Sequence, residues 1–313
     1  MNFPAQIAGL HDVKLPSLPL HLAIGMFDGV HLGHRAVIEA AVQSARASGA
    51  LSGVLTFSPH PSVLFRPDNP TKMIQDAQVK GRILEGLGVD LVITQTFDAE
   101  LASIPADDFL PWLLRALPRL AAIYVGENFR FGQGRRGDVA VLVAAGRKHG
   151  VRVFSAPRVS LNGEPISSTR IRTQLAAGEV ESANALLGYN YFSEGTVTGG
   201  KRLGRTLGFP TLNLPWAPEL QPCLGVYAVR VTGAKFPEPL PAVANYGLRP
   251  TVEQTVVPRL EVHVLGACPF GEGDLVRVEW IRFLRPEKKF AGVEELRKQI
   301  EADRETARAF FAA

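Results

Sequence analysis

Two histidines three residues apart carry the first chemical signal in this chain. They close the run Gly25-Met26-Phe27-Asp28-Gly29-Val30-His31-Leu32-Gly33-His34. The glycines let the backbone turn tightly and approach a ligand, and the periodic apolar run that follows predicts a helix. A helix start offers free N–H groups and the positive end of its dipole to an anion. His31 and His34 at that mouth, neutral or charged, can donate hydrogen bonds to phosphate oxygens. In isolation, H-x-G-H is equally a glycine turn bearing two surface histidines; its place between a strand and a helix favours a nucleotide site.

Three further stretches point the same way. Phe57-Ser58-Pro59-His60-Pro61 ends a strand, where open α/β sheets bind ligands. Gly126-Glu127-Asn128-Phe129-Arg130-Phe131-Gly132 follows another strand and combines an amide, a cation and two aromatics, although either phenylalanine alone suits a core. Ile166-Ser167-Ser168-Thr169-Arg170-Ile171-Arg172 leads hydroxyls and cations into a helix, which is also what a capped helix with surface arginines looks like.

A second group lies later. Gly195–Arg205, GTVTGGKRLGR, can wrap phosphate in backbone N–H groups, but without G-K-[ST] it is no P-loop. In Pro210-Thr211-Leu212-Asn213, Thr211 and Asn213 offer hard oxygens suited to Mg²⁺ on nucleotide phosphates. A glycine hairpin and a proline-broken strand explain that stretch about as well. In Leu260-Glu261-Val262-His263-Val264-Leu265, period two puts Glu261 and His263 on one face. A carboxylate there could serve as a general base, yet the alternation alone favours a solvent face.

The elements that position these residues divide into two halves. Apolar runs at Leu20–Ile24, Val54–Phe57, Leu91–Ile93, Ala121–Val125 and Val151–Phe154 predict buried strands. Val37, Ile38, Ala41, Val42 and Ala45 mark one face of a helix, and further helices are expected near Gln78–Leu87, Asp107–Leu117 and Asp138–His149. That rhythm predicts an α/β, doubly wound, Rossmann-like domain with a mostly parallel sheet. Beyond about Ala185 the strand-like segments Gly195–Val197, Gly225–Val231, Ala242–Tyr246, Leu260–Leu265 and Leu275–Phe283 predict a small antiparallel barrel, closed by a helix through Val293, Leu296, Ile300, Ala307 and Phe310. The expected domains are 1–184 and 185–313.

Composition bounds the function. The 313 residues suit two domains, and 46% hydrophobic with 20% charged residues excludes a disordered chain. The longest smooth apolar stretch, Val139–Ala145, is far too short to span a membrane. Met1-Asn2-Phe3-Pro4 has no signal-peptide pattern, and Cys223 and Cys268 have neither metal nor redox spacing, so a cytoplasmic protein is expected. The net charge of +4 comes in short clusters beside glycines, Arg135-Arg136 and Lys201-Arg202, which favours small anionic ligands over nucleic acid or membrane.

Gly25–His34, Gly126–Gly132 with Arg136-Gly137-Asp138, and Ile166–Arg172 together resemble the adenylyltransferase module of prokaryotic bifunctional riboflavin kinase/FAD synthetases. The resemblance continues through TLGFPTLN at Thr206–Asn213, GVY at Gly225–Tyr227, N-x-G-x-R-P-T at Asn245–Thr251, LEVH at Leu260–His263 and FLRPEKKF, which are similar to the kinase module. One departure is GACPFGEGD before Leu275, which lacks the family's tyrosine-glycine step. The resemblance implies riboflavin plus ATP giving FMN, then FMN plus ATP giving FAD and pyrophosphate. It implies that His31 and His34 contact ATP phosphates, that Gly25, Phe27, Asp28, Gly29, Asn128, Ser168, Thr169 and Arg172 belong to the ATP site, and that Pro59, His60, Pro61, Phe65 and Phe131 lie near the flavin. In the kinase module it implies Glu261 as base, Thr211 and Asn213 on Mg²⁺, and Gly199, Gly204 and Arg205 on ATP. Rival expectations are a chain with one inactive site, a flavin-binding protein without catalysis, and a nucleotidyltransferase acting on RNA. The oligomeric state, a homo-oligomer included, stays open.

Overall fold

The computed structural model describes residues 5–14, 16–199, 208–248 and 258–312. The chain divides into two compact units, Met1–Ser168 and Thr169–Ala313.

The first unit is built on strands β1 (Ala5–Ala8), β2 (Leu20–Ile24), β3 (Leu51–Ser58), β4 (Leu91–Thr96), β5 (Leu120–Gly126) and β6 (Arg152–Ala156). They form one sheet in the order β1-β4-β3-β2-β5-β6, with every pairing parallel. Parallel neighbours need crossovers; here these run through helices α1 (Leu32–Ser48), α2 (Ser62–Phe65), α3 (Ala77–Gly86), α4 (Ala99–Ser103), α5 (Ala106–Ala116) and α6 (Val139–His149). Strand β2 is buried along its whole length, because helices cover both faces of the sheet. Leu22, Ile24, Leu55 and Ile123 pack with Phe109, Leu113 and Leu142 of α5 and α6. On the other face Ala23, Val54 and Ala122 meet Val37, Ile38 and Ala41 of α1, the helix face expected from the spacing.

Strand β1 was not legible in the sequence. Its four residues extend the sheet by pairing Ala5 with Leu91 through Ala8 with Thr94, and so short an edge segment carries almost no periodic signal. The chain winds outward from β2 through β3 and β4, then returns to the other side of β2 as β5. The sheet therefore reverses between β2 and β5, and a ligand crevice forms beyond the carboxyl ends of the strands at such a reversal. A two-stranded hairpin, β7 (Ser160–Leu161) and β8 (Glu164–Pro165), follows β6.

After α7 (Ser168–Ala177) and α8 (Val180–Leu187) come β9 (Phe192–Thr196), β10 (Leu212–Leu214), β11 (Gly225–Gly233), β12 (Phe236–Leu248), β13 (Pro258–Val264) and β14 (Leu275–Pro286). These pair antiparallel in the order β10-β13-β12-β11-β14-β9. A bridge between Thr198 and Asn213 joins the two edges and nearly closes the barrel. Trp280, Tyr227 and Tyr246 fill its interior. The terminal helix Val293–Ala312 is pinned to β14 by a bidentate pair, Arg285 Nε and Nη2 to Asp303 at 2.8 and 2.7 Å.

Candidate active sites

In the first unit β2 and β5, which flank the sheet reversal, and β3 beside β2 run into the glycine turn, the Asn128 stretch and the Pro59-His60-Pro61 stretch respectively. Strand β2 runs into a turn with unusual backbone angles: φ is 48° at Phe27, 75° at Gly29 and 38° at Val30. Left-handed conformations cost a β-branched residue dearly, so surrounding contacts must hold this turn in shape. Asp28 is buried, its carboxylate accepting the Ile74 N–H at 3.0 Å, and its carbonyl accepts the Ser168 hydroxyl at 2.9 Å. At Gly25 a side chain would meet the Phe27 ring at 3.0 Å, and that ring, itself buried, sets its edge against His34.

His31 occupies the position before α1 where Ser, Thr or Asp usually caps a helix. Its Nδ1 accepts the His34 backbone N–H at 3.3 Å. A neutral ring that accepts through Nδ1 carries its proton on Nε2, so Nε2 is the donor left for a ligand. Burial pulls the His31 pKa down to about 4, which keeps the ring neutral at pH 7. The His34 ring stacks on it at 3.6 Å between centroids and 15° between planes. Burial first, then the proximity of His31 and Lys80, pushes the His34 pKa well down. Its Nδ1 is buried without a hydrogen-bond partner among the described residues. The arrangement offers two neutral imidazoles at the open end of a helix, suited to an anion's oxygens.

A stability effect follows from this burial. Burial lowers the His31 pKa from the ordinary 6.5 to about 4 on folding, so the folded state resists the proton. Its contribution is intact above pH 6.5 and is lost as pH falls toward 4, by roughly 3 kcal/mol across that window. Thermal melting of the wild type and of His31→Ala between pH 7 and 4 tests this. The variant should decline less steeply, and parallel curves would remove the assignment.

The sequence reading passed over Lys80. It lies in the predicted helix four residues before the buried Leu84 and is itself 2% exposed. A lysine on the apolar face of α3 was the signal that could have found it. Its ammonium donates to the Thr56 hydroxyl at 2.9 Å and the Met26 carbonyl at 3.2 Å. Burial lowers its pKa to about 8 against the opposing pull of Asp28.

At the end of β3, His60 Nδ1 accepts the Ser62 N–H at 3.1 Å, and the Ser62 hydroxyl accepts the Thr71 N–H at 2.7 Å. Pro59 is exposed and Pro61 half-buried. Phe65 is 63% exposed, its ring 6.1 Å from Phe97. After β5, Asn128 is exposed, whereas Phe131 is buried between Phe109 at 4.8 Å and Phe129 at 5.6 Å. Gly137 pairs back on Phe131, and Asp138 caps α6 by accepting the Val141 N–H. Ser168 opens α7; exposed Thr169 and half-buried Arg172 follow in the second unit. A larger hollow of about 960 Å³ in the first unit, lined by His11, Asp98, Asp108 and Trp112, contains none of the predicted residues.

In the second unit, Glu261 stands between Asn213 on β10 and Asn245 on β12, its partners in register. Residues opposite one another in register project from the same face of a sheet, so these three share one face. The terminal helix covers part of that face, enclosing a cavity of about 270 Å³ lined by Thr211, Asn245, Glu261, His263, Arg285 and Leu296 among others. The polar alternation of β13 thus marks the wall of a pocket. His263 is held through Nδ1 at 2.8 Å from the Pro210 carbonyl, and the Asn213 amide nitrogen donates to the Thr211 carbonyl at 3.4 Å. Gly199 is exposed beside the Glu272 carboxylate. Gly204 and Arg205 lie outside the described residues, as does the R-P-T of the N-x-G-x-R-P-T stretch.

Comparison with known proteins assigns each unit's signature. The FAD synthetase family model matches residues 17–170 and the riboflavin kinase family model matches residues 187–311. A bifunctional riboflavin kinase/FMN adenylyltransferase from Escherichia coli (strain K12) is 39% identical over 97% of both chains. The chain belongs to the bifunctional riboflavin kinase/FMN adenylyltransferase family. Another relative of that description, from Bacillus subtilis (strain 168), is 35% identical over 96% of both chains. A solved structure from Streptococcus pneumoniae, described as a macrolide-efflux protein, matches with a TM-score of 0.86 at 29% identity over 97% of this chain and 98% of that one. Among the described residues, no helix is long and apolar enough to cross a membrane. Family membership places the chain in flavin-cofactor biosynthesis, with ATP and flavins as substrates.

Proposed function

We propose that the H-x-G-H turn is the adenylyl-transfer site and the barrel cavity the riboflavin-phosphorylating site. The observation that carries the first assignment is the stacked, neutral pair His31 and His34 at the start of α1, beside the sheet reversal. An oxygen of the FMN phosphate bonds to the α-phosphorus of ATP while the bond to the β-phosphate oxygen breaks, releasing pyrophosphate. The attacking oxygen is already anionic, so the protein need only align it and stabilise the charge that builds up. His31 and His34 donate to the phosphates. Gly25, Phe27, Asp28 and Gly29 shape the turn, and Asn128 and Ser168 complete the nucleotide subsite. Thr169 and Arg172 join this reading through the family resemblance. Pro59, His60, Pro61 and Phe65 receive the flavin, and Phe131, buried against Phe109 and Phe129, joins them through the family resemblance.

In the barrel, Glu261 takes the proton of the ribityl hydroxyl as its oxygen attacks the γ-phosphorus of ATP and ADP leaves. A neutral alcohol gains from a base where a phosphate does not. Thr211 and Asn213 would hold Mg²⁺, since a hydroxyl and an amide oxygen are hard donors suited to it. When bound, the ion supplies neutralisation of charge on the transferring phosphoryl group. Gly199, Gly204 and Arg205 join the ATP-binding residues of this module through the family resemblance. ATP and flavin substrates and two free cysteines suit the cytoplasm.

We place the functional boundary at 184/185, between an adenylyltransferase module of 1–184 and a kinase module of 185–313. The family matches, ending at 170 and beginning at 187, support it. The compact unit starts earlier because Asn184 on α8 donates to the Trp280 carbonyl at 2.8 Å and accepts the Tyr191 N–H at 2.7 Å. The test supplies riboflavin, ATP and Mg²⁺ and separates the products by chromatography. The full chain should give FMN and then FAD, while a fragment from Thr169 to Ala313 should stop at FMN. FAD from the fragment, or no FMN from either protein, overturns the assignment.

A further inference from the structure

We infer that Lys80 is a positioning residue for adenylyl transfer, a buried cation that pins the H-x-G-H turn and supplies fixed positive charge beneath the nucleotide phosphates. This rests on the reading of that turn as the adenylyl-transfer site. The ammonium reaches from α3 under the sheet's carboxyl edge to the Met26 carbonyl, which also accepts the Thr56 hydroxyl at 2.9 Å. Lys80 and Thr56 are 2% and 1% exposed. Met26 lies just before the three left-handed residues of the turn, so the pair of donors anchors the point where β2 gives way to strained backbone.

The charge itself has work to do. Burying an ammonium is costly, and a methionine would fill the same space without that cost. The histidines above it are neutral, so they contribute dipoles but no net charge. Lys80 is close enough to His34 to help depress its pKa, which is the field a triphosphate at that position would feel with the opposite sign. Asp28, whose carboxylate pulls the Lys80 pKa back up, keeps the ammonium protonated while bracing the same turn. Turn shape and site charge are thus held by one side chain that touches no substrate.

The test compares Lys80→Met, Lys80→Arg and Thr56→Val in the full chain, reading FMN adenylylation, riboflavin phosphorylation and inhibition by inorganic pyrophosphate. Lys80→Met should lower adenylylation by about 10- to 100-fold, through both kcat and the KM for ATP, with the KM for FMN unmoved. Pyrophosphate inhibition should weaken in parallel, and riboflavin phosphorylation should stay at the wild-type rate. Lys80→Arg should recover to within about fivefold of wild type, because charge and donors return. Thr56→Val, which keeps the shape but removes one partner of the ammonium, should fall between, and it decides the matter if Lys80→Met fails to fold. Adenylylation within twofold of wild type in Lys80→Met or Thr56→Val overturns the inference. So does equal loss in Lys80→Met and Lys80→Arg. If the wild type adenylylates FMN and His31→Ala/His34→Ala does not, those failures count against Lys80 alone. Unchanged adenylylation in the double histidine variant counts against the site reading instead.

Discussion

Replacing both His31 and His34 with Ala should lower conversion of FMN to FAD by about 10³-fold or more, since each donor aimed at developing phosphate charge contributes roughly 10²–10³. The two rings are a single structural unit, stacked at 3.6 Å, with His31 Nδ1 engaged in capping α1 and its Nε2 free to donate. Single replacements should therefore cost nearly as much as the double one, because removing either ring releases the other. Phosphorylation of riboflavin by the same preparation should stay at the wild-type rate, as its residues belong to the second unit. Product chromatography from FMN and from riboflavin in parallel makes the comparison. FAD formation within a factor of ten of wild type would show that these histidines only shape the turn.

Glu261→Gln should have the complementary effect. The amide keeps size and hydrogen bonding and removes the basic oxygen, so riboflavin phosphorylation should fall by about 10²–10⁴, the usual share of a general base. Flavin and ATP affinity should change little, because Asn213 and Asn245 still flank the position across β10 and β12. Conversion of supplied FMN to FAD should be untouched. Unchanged kinase turnover would return Glu261 to an ordinary pocket-wall residue, and equal loss of both activities would indicate misfolding.

The two sites were not equally open to sequence reading. H-x-G-H between a strand and a helix was legible because a short glycine turn and a helix start are local features, set by residues adjacent in the chain. Glu261 was not legible by pattern alone. Alternation on β13 is the same whether its polar side meets water or a covering helix, and only the packing of the terminal helix, some forty residues on, distinguishes them. The resemblance supplied the weight that periodicity lacked.

By itself, the sequence determined the strand–helix rhythm, the change to barrel strands after about Ala185, the family, and the chemistry available at His31, His34 and Glu261. The rhythm and its change follow from short-range periodicity and residue type, whereas the family, and with it the role of Glu261, came from the order of motifs that resemble the two modules. The tertiary structure decided the edge strand β1, whose partner β4 lies over eighty residues away, and the burial of Phe131 against Phe109. It also decided the neutrality of the histidines and the position of Lys80 beneath them. Charge state and burial depend on what surrounds a group in space, and residues from the turn after β2, from β3, α1 and α3 meet there only once the sheet has formed.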